Sequence, residues 1–193
     1  MTFSKKQLDI IDASKDLIGG KGLQNLTIKN LANKMCCSEP ALYRHFKDKT
    51  EILKSLLTFH KDLIHQKVFT IIKSDKAALQ KLKEITDFKF QHIQKNPSII
   101  MVIFSETSFQ YNSILANLVA RIMNQRNKKL IGIIEQGQKE GGIKDDISAD
   151  KIATIIMGSM RFTVLKWKLE DFKTDLELEG RELWNTIEQL IKK

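Results

Sequence analysis

The sequence predicts an all-α protein of about nine helices. Apolar residues recur at spacings of three and four along most of the chain, which is the period of a helix with one buried face. No convincing run alternates apolar and polar residues as a half-buried strand does. Only two prolines and nine glycines occur in 193 residues, so few turns are specified and long helices are favoured. We expect an N-terminal three-helix domain over residues 1–47 and a C-terminal helical domain over residues 48–193.

Three short helices are predicted in the N-terminal domain. The first ends at the glycine cluster of residues 19–22, which follows a helix and therefore indicates a helix end rather than a phosphate-binding loop. Thr27 is expected to cap the second helix and Ser38 the third, because a hydroxyl accepts hydrogen bonds from first-turn N–H groups. Pro40 fits the first turn of the third helix, where no intrahelical partner is lost.

Six further helices are predicted from Asp48 onward. Asp48 opens a long helix that extends to Ile72, and the residue before Pro97 ends the next one, since that residue avoids the helical region. A short, almost entirely apolar helix begins at Ser98 and is expected in the interior. The last three helices are placed at residues 112–140, 148–170 and 175–192.

Charge and composition favour a nucleic-acid partner over a membrane. The formal net charge is +9, and nearly half of this excess lies in the first 49 residues, although a solvated lysine-rich face would have the same composition. Residues 99–104 and 152–165, the most apolar stretches, are too short to span a bilayer, and no signal peptide is evident. Two adjacent cysteines cannot form a disulfide framework. We expect a cytoplasmic protein without a membrane segment.

No motif predicts catalysis or a metal site. The nearest pair of histidines, His60 and His65, is five residues apart and lies on different helix faces, which does not suit metal ligation. No nucleophile elbow and no zinc-type cysteine pairs occur. We therefore expect a protein that is not an enzyme and that carries no cofactor and no metal.

The informative stretch is 27–52, which has the layout of a helix-turn-helix. Such a unit places its second helix in the DNA major groove while its first helix crosses the backbone. Leu42 and Phe46 are four residues apart and are predicted to face inward. The other sides of that helix carry Tyr43 and Arg44, which can reach phosphates and base edges.

The same residues resemble the DNA-binding domain of TetR/AcrR-type transcriptional regulators. The resemblance covers about the first 55 residues. Beyond them the chain agrees with that family in length, all-helical content and a final pair of long helices, but not in any diagnostic motif. It is carried by Ala13, Leu17, Gly22, Thr27, Ile28, Leu31, Ala32, the stretch 38–49, Ile52 and Leu53. The resemblance implies a homodimer that binds a palindromic operator of double-stranded DNA and releases it when a small molecule binds.

The resemblance also implies roles for individual residues. Phosphate contacts are expected from Thr27, Tyr43 and Lys49. Base reading is expected from the positions that vary in the family, namely Ser38, Glu39, Pro40, Arg44 and His45. For His45 a packing role remains open, and for Glu39 stabilisation by the helix dipole.

Cys36 departs from the family pattern, which has glycine in this turn. Glycine suits a positive φ, so a cysteine there is expected to cost about 1 kcal/mol unless the turn is reshaped. Cys37 is expected to be a small core residue, and a thiol switch remains an open alternative.

The C-terminal helices are expected to supply a ligand pocket and a dimer interface. A hydrophobic inducer of unknown identity is predicted from methionine and phenylalanine side chains, although each could equally be core. The pocket residues are predicted to be Met101, Phe104, Phe109, Met123 and Phe162. The resemblance implies a four-helix dimer interface formed by the last two helices, with monomer core as the alternative, and we assign to it Ile155, Gly158, Trp184, Ile187 and Ile191.

The sequence thus predicts a ligand-responsive transcriptional regulator, and we expect a repressor. The alternative is a DNA-bound protein-interaction factor that has no small-molecule inducer.

Overall fold

The computed structural model describes residues 3–103 and 112–193, with the side chains of residues 20, 21 and 103 left aside. The described residues form nine α-helices, as the sequence predicts. They are α1 (Lys5–Lys21), α2 (Ile28–Lys34), α3 (Glu39–Tyr43), α4 (Lys49–Ile72), α5 (Ala78–Lys95), α6 (Pro97–Ile103), α7 (Ser113–Lys139), α8 (Ala149–Leu169) and α9 (Leu176–Ile191). A 3₁₀ turn at Leu23–Asn25 joins α1 to α2. None of the described helices is long and apolar enough to cross a bilayer.

Most helix starts lie where the sequence places them. Thr27 Oγ1 accepts a 3.0 Å hydrogen bond from the backbone N–H of Asn30, and Asp48 Oδ1 accepts one of 2.8 Å from Glu51. Ser38 is the N-cap of α3 by position, but its hydroxyl makes no capping hydrogen bond. The first helix ends within the predicted glycine cluster, although α1 continues through residues 19 and 20. The helix ends at Gly22, whose φ of 80° is left-handed and favours glycine.

The chain forms two compact units. The first, which we call the N-terminal unit, comprises Met1–Leu63 and Asn96–Ala120. The second, which we call the C-terminal unit, comprises Ile64–Lys95 and Arg121–Lys193. The domain boundary predicted at residue 48 differs from the points where the chain passes between these units, which follow Leu63, Lys95 and Ala120. The reason is that α6 and the start of α7 pack with the N-terminal helices, where Val102 and Leu115 join one buried apolar cluster with residues of α1 to α4.

In the second unit α9 packs against α5 at very short range. A Cβ atom added at Gly180 would collide with the ring of Phe90, so only glycine allows the two backbones to approach this closely. Trp184 is fully buried in the same unit, and its indole N–H donates a 3.0 Å hydrogen bond to Glu188, one turn further along α9. The close contact of Gly180 with Phe90 and the burial of Trp184 make α9 part of the protomer core.

Candidate DNA-binding surface

The turn between α2 and α3 has the tight geometry that a helix-turn-helix requires. Cys36 has a φ of 50°, as expected from its place at a glycine position. The N–H of Cys37 donates to the carbonyl of Ala32 at 3.0 Å, which closes the end of α2 with a six-to-one hydrogen bond. Cys36 is exposed, whereas Cys37 is partly buried against the core. The left-handed residue therefore directs α3 away from α2.

Helix α1 contacts both helices of the helix-turn-helix through polar side chains. The side-chain amide of Gln7 donates to the carbonyl of His45 at 3.3 Å, directly after α3. Lys34, at the end of α2, lies 3.0 Å from the carboxylate of Asp16. Both partly exposed contacts fix orientation more than they add stability.

The buried and exposed sides of α3 separate as predicted. Leu42 and Phe46 are 2 % and 3 % exposed, whereas Tyr43 is 51 % exposed. Arg44 follows the helix, is exposed, and forms no ion pair with a described carboxylate. The remaining predicted base-reading residues are exposed at Ser38, Glu39 and Pro40 and partly buried at His45. The structure thus brings these five residues together around one short helix.

The predicted phosphate-contacting residues differ in availability. Thr27 and Tyr43 are exposed, and the Thr27 hydroxyl also caps α2. The Lys49 ammonium instead lies 3.4 Å from the carbonyl of Leu23, and burial lowers its pKa. Its side chain lines a cavity of about 280 Å³ within the N-terminal unit, together with Leu23, Gln24, Thr50, Leu53, Asn112 and Leu115.

Helix α8 carries an exposed apolar seam. Ile155, Phe162 and Leu169 are 47 %, 68 % and 74 % exposed and are spaced seven residues apart. Gly158 lies on the same face, and a Cβ atom there would meet nothing within 4 Å. Residues at heptad spacing share one helix face and are the pattern of a helix-pairing seam. We call these four residues the α8 seam.

The structure corrects three of the assigned interface residues. Trp184, Ile187 and Ile191 are at most 3 % exposed within the single chain. They pack inside the C-terminal unit, so their side chains are not available to a partner. The wide apolar stripe of α9 did not distinguish the face toward the protomer core from the face toward a partner. The seven-residue spacing of the α8 seam is the signal that could have made this distinction.

The three predicted pocket residues that the structure describes lie in different surroundings. Phe162 belongs to the α8 seam, and Met123 is 39 % exposed on α7, so neither lines an enclosed pocket in this structure. Met101 packs against the apolar cluster of the N-terminal unit. Phe104 and Phe109 lie outside the described residues.

Two family models match the chain. One, described as bacterial regulatory proteins of the tetR family, matches residues 10–56. The other, a tetracyclin repressor-like C-terminal domain, matches residues 79–174. The first match contains the entire helix-turn-helix.

Individual relatives cover nearly all of the chain. The nucleoid occlusion factor SlmA of Vibrio vulnificus is 20 % identical over 190 residues, which are 98 % of this chain and 97 % of SlmA. The fatty acid metabolism regulator protein of Bacillus subtilis is 26 % identical over 171 residues, or 89 % of this chain and 88 % of that protein. Among solved structures, the transcriptional regulator FadR from Bacillus subtilis in complex with stearoyl-CoA superposes with a TM-score of 0.76. It is 25 % identical, with 95 % of this chain and 96 % of FadR covered.

Proposed function

Because this chain belongs to the TetR family of bacterial regulatory proteins, we propose that it is a repressor whose DNA binding responds to a small hydrophobic inducer. It binds a palindromic operator as a homodimer and releases the operator when the inducer binds. The observation that carries this proposal is the exposed group of polar side chains around α3, held on a buried helix-turn-helix core.

Recognition is divided between phosphates and bases. Thr27 and Tyr43 bind phosphates and set the register of α3 in the major groove. Lys49 joins them only if its ammonium leaves the Leu23 carbonyl, and a hydrogen bond of 3.4 Å is a weak one to break. Arg44 is the principal base reader, since its guanidinium is exposed and can form two hydrogen bonds to a guanine edge.

The homodimer is formed through the α8 seam. Ile155 and Gly158 remain in this interface, and Phe162 and Leu169 replace the buried α9 residues. Gly158 lets a partner helix approach closely, because no side chain lies between the two backbones. Binding to a palindromic operator requires the two copies of α3 to lie about 34 to 36 Å apart, the distance between successive major grooves.

A fatty acyl compound is the first inducer to test. The FadR structure from Bacillus subtilis contains stearoyl-CoA, and the matching relative is a fatty acid metabolism regulator protein. Both likenesses extend over almost the whole chain, including the helices that follow the DNA-binding domain. A long acyl chain agrees with the hydrophobic inducer expected from the sequence.

A second function is favoured by the similarity to SlmA. These relatives are nucleoid occlusion factors, and their likeness covers nearly the full chain. In that case the protein would stay bound to DNA and act through a protein partner, without an inducer. Release from DNA by a small molecule separates the two functions.

The proposed DNA recognition is tested by selecting genomic fragments with the full-length protein at about 150 mM salt, which suppresses non-specific phosphate binding. We expect a palindromic sequence. Arg44→Ala should weaken binding to it by about 1–3 kcal/mol and relax preference at one position of each half-site. Lys47→Ala, which removes an exposed charge just outside α3, serves as the matched control and should leave base preference unchanged. Recovery of no sequence above background would refute the proposed operator binding.

A further inference from the structure

The start of α5 contacts the end of α7 in the C-terminal unit. A Cβ atom added at Gly137, near the end of α7, would be 2.7 Å from the Cβ atom of Ala78, at the start of α5. Glycine therefore permits a close contact between the two helices at this point. The contact also fixes which faces of α5 and α7 are turned toward each other.

The same register brings two basic residues together. Eleven residues are about three helical turns, so positions eleven residues apart lie on the same helix face. Eleven residues after Ala78 comes Lys89, and eleven residues before Gly137 comes Arg126. Two helices that run in opposite directions from the Ala78 contact therefore place Lys89 opposite Arg126. Their charges do interact, because Arg126 lowers the pKa of Lys89.

Both basic residues occupy positions that the helix pattern reserves for apolar side chains. Arg126 lies one turn from Ile122 and one turn from Leu130, which are 8 % and 6 % exposed. Lys89 lies one turn after Ile85, which is 3 % exposed, and next to the fully buried Phe90. Both basic side chains are partly buried. They thus form a cationic pair on the inner faces of α5 and α7.

This cationic pair is unfavourable as it stands. Burial, and then the charge of Arg126, lower the pKa of Lys89 to about 8. Burial also lowers the pKa of Arg126. Asp87, the acidic residue nearest to Lys89 along α5, is held by Lys83 at 2.6 Å. Two like charges that are partly withdrawn from water are expected to be retained where they bind something of opposite charge.

We propose that Lys89 and Arg126 bind the anionic group of an amphipathic small molecule within the C-terminal unit. The group is a carboxylate or a phosphate, since Arg126 can form two parallel hydrogen bonds to either and Lys89 supplies a compact second charge. This proposal rests on the proposed function, to which it adds the chemistry of the inducer's polar end. It assigns a role to two residues that the periodicity of α5 and α7 would otherwise leave unexplained.

The test compares anionic and neutral probes on the full-length protein without DNA. Dodecanoate and dodecanoyl-CoA are titrated by calorimetry, with dodecanol as the neutral probe of equal chain length. We expect an anionic probe to bind better than dodecanol, and Lys89→Met and Arg126→Met each to weaken it roughly 10- to 100-fold, the usual effect of losing one charge-assisted hydrogen bond. Lys128→Met, an exposed residue two positions along α7, is the matched control and should leave the affinity unchanged.

Thermal unfolding of the ligand-free variants supplies an independent readout. Methionine fills a similar volume without charge, so Lys89→Met and Arg126→Met should raise the midpoint of unfolding while weakening the anionic probe. A lower midpoint in both variants would show that a carboxylate of this chain already neutralises the pair, and would overturn the proposal. Equal affinities of all variants, or no binding of either anionic probe, would overturn it as well.

The proposed repressor function and the proposed anion site can be refuted independently of each other. If the protein selects no operator but binds the anionic probe through Lys89 and Arg126, the site stands and the repressor function fails. If the operator is released by the probe equally well from wild type and both variants, the repressor function stands and the site fails.

Discussion

Replacing Phe162 with alanine is expected to weaken the homodimer at least a hundredfold. Phe162 is the central large side chain of the α8 seam, and 68 % of its surface is exposed in the protomer. Ile155 and Leu169 lie seven residues before and after it, so a partner helix along this face must cover the ring. Removing the ring therefore removes apolar area from the middle of the proposed interface.

The magnitude follows from the area that the ring exposes. A phenylalanine side chain presents roughly 200 Å², so an exposed fraction of 68 % corresponds to about 140 Å². At about 25 cal/mol per Å², covering this area contributes about 3.5 kcal/mol for each protomer. The Cβ atom of alanine retains part of this, which leaves a loss of about 2 kcal/mol per protomer. A two-fold dimer loses it twice, or about 4 kcal/mol, which is almost a thousandfold if both rings are completely covered.

Sedimentation velocity over a range of protein concentrations measures this change. The wild-type chain should sediment at twice the monomer mass of 22.2 kDa, and Phe162→Ala should shift toward the monomer as it is diluted. Phe69→Ala is the matched control, because Phe69 is 51 % exposed on α4 and outside the α8 seam. A wild-type monomer, or equal dissociation constants for the two variants, would refute this assignment of the interface.

Three further predictions concern backbone strain, close packing and pH. Cys36→Gly should raise the free energy of unfolding, measured by urea denaturation, by up to about 1 kcal/mol, because glycine adopts a φ of 50° without strain. A lower free energy of unfolding in this variant would show that the turn is not strained. Gly180→Ala should lower the midpoint of thermal unfolding, at a cost of about 1–3 kcal/mol, because the new Cβ atom would collide with Phe90. Gly132→Ala is the control and should leave the midpoint unchanged, because a Cβ atom at Gly132 meets nothing within 4 Å. Similar midpoints for the two variants would contradict the close α5–α9 contact. Because the pKa of Lys89 is lowered in the folded protein, the unfolded chain binds more protons between pH 8 and 10.5. The contribution of Lys89 to the free energy of unfolding should therefore rise with pH in that range. Lys89→Met should remove this part of the pH dependence, and an unchanged pH dependence would contradict the lowered pKa.

Local patterns made the fold and the exposure of the side chains around α3 predictable. Helix starts depend on single residues such as Thr27 and Asp48, whose side-chain oxygens accept first-turn N–H groups within three residues along the chain. The exposed position of Tyr43 and Arg44 follows from the inward position of Leu42 and Phe46, which one helical turn determines. The positive φ of Cys36 was predictable from the family resemblance, since the turn demands a left-handed residue whatever its type.

The features that were not predicted depend on contacts between distant segments. Trp184 was assigned to a dimer interface because an apolar stripe does not reveal which neighbour covers it, and here α9 packs against α5 and α8 of the same chain. The side chain of Lys49 extends to the carbonyl of Leu23, twenty-six residues earlier, and both residues line the same cavity. The pairing of Lys89 with Arg126 needs the register set by Ala78 and Gly137, which no pattern within one helix contains.

Release of operator DNA by an acyl compound tests the central claim most directly. The selected palindrome is labelled with a fluorophore, bound by the full-length protein at about 150 mM salt, and titrated with dodecanoyl-CoA and stearoyl-CoA while its anisotropy is recorded. A ligand-responsive repressor predicts that the anisotropy falls to that of free DNA as one of these ligands saturates the protein. Anisotropy that stays at the bound value, although calorimetry shows the ligand to be bound, would contradict the proposed response and favour a protein that remains on DNA.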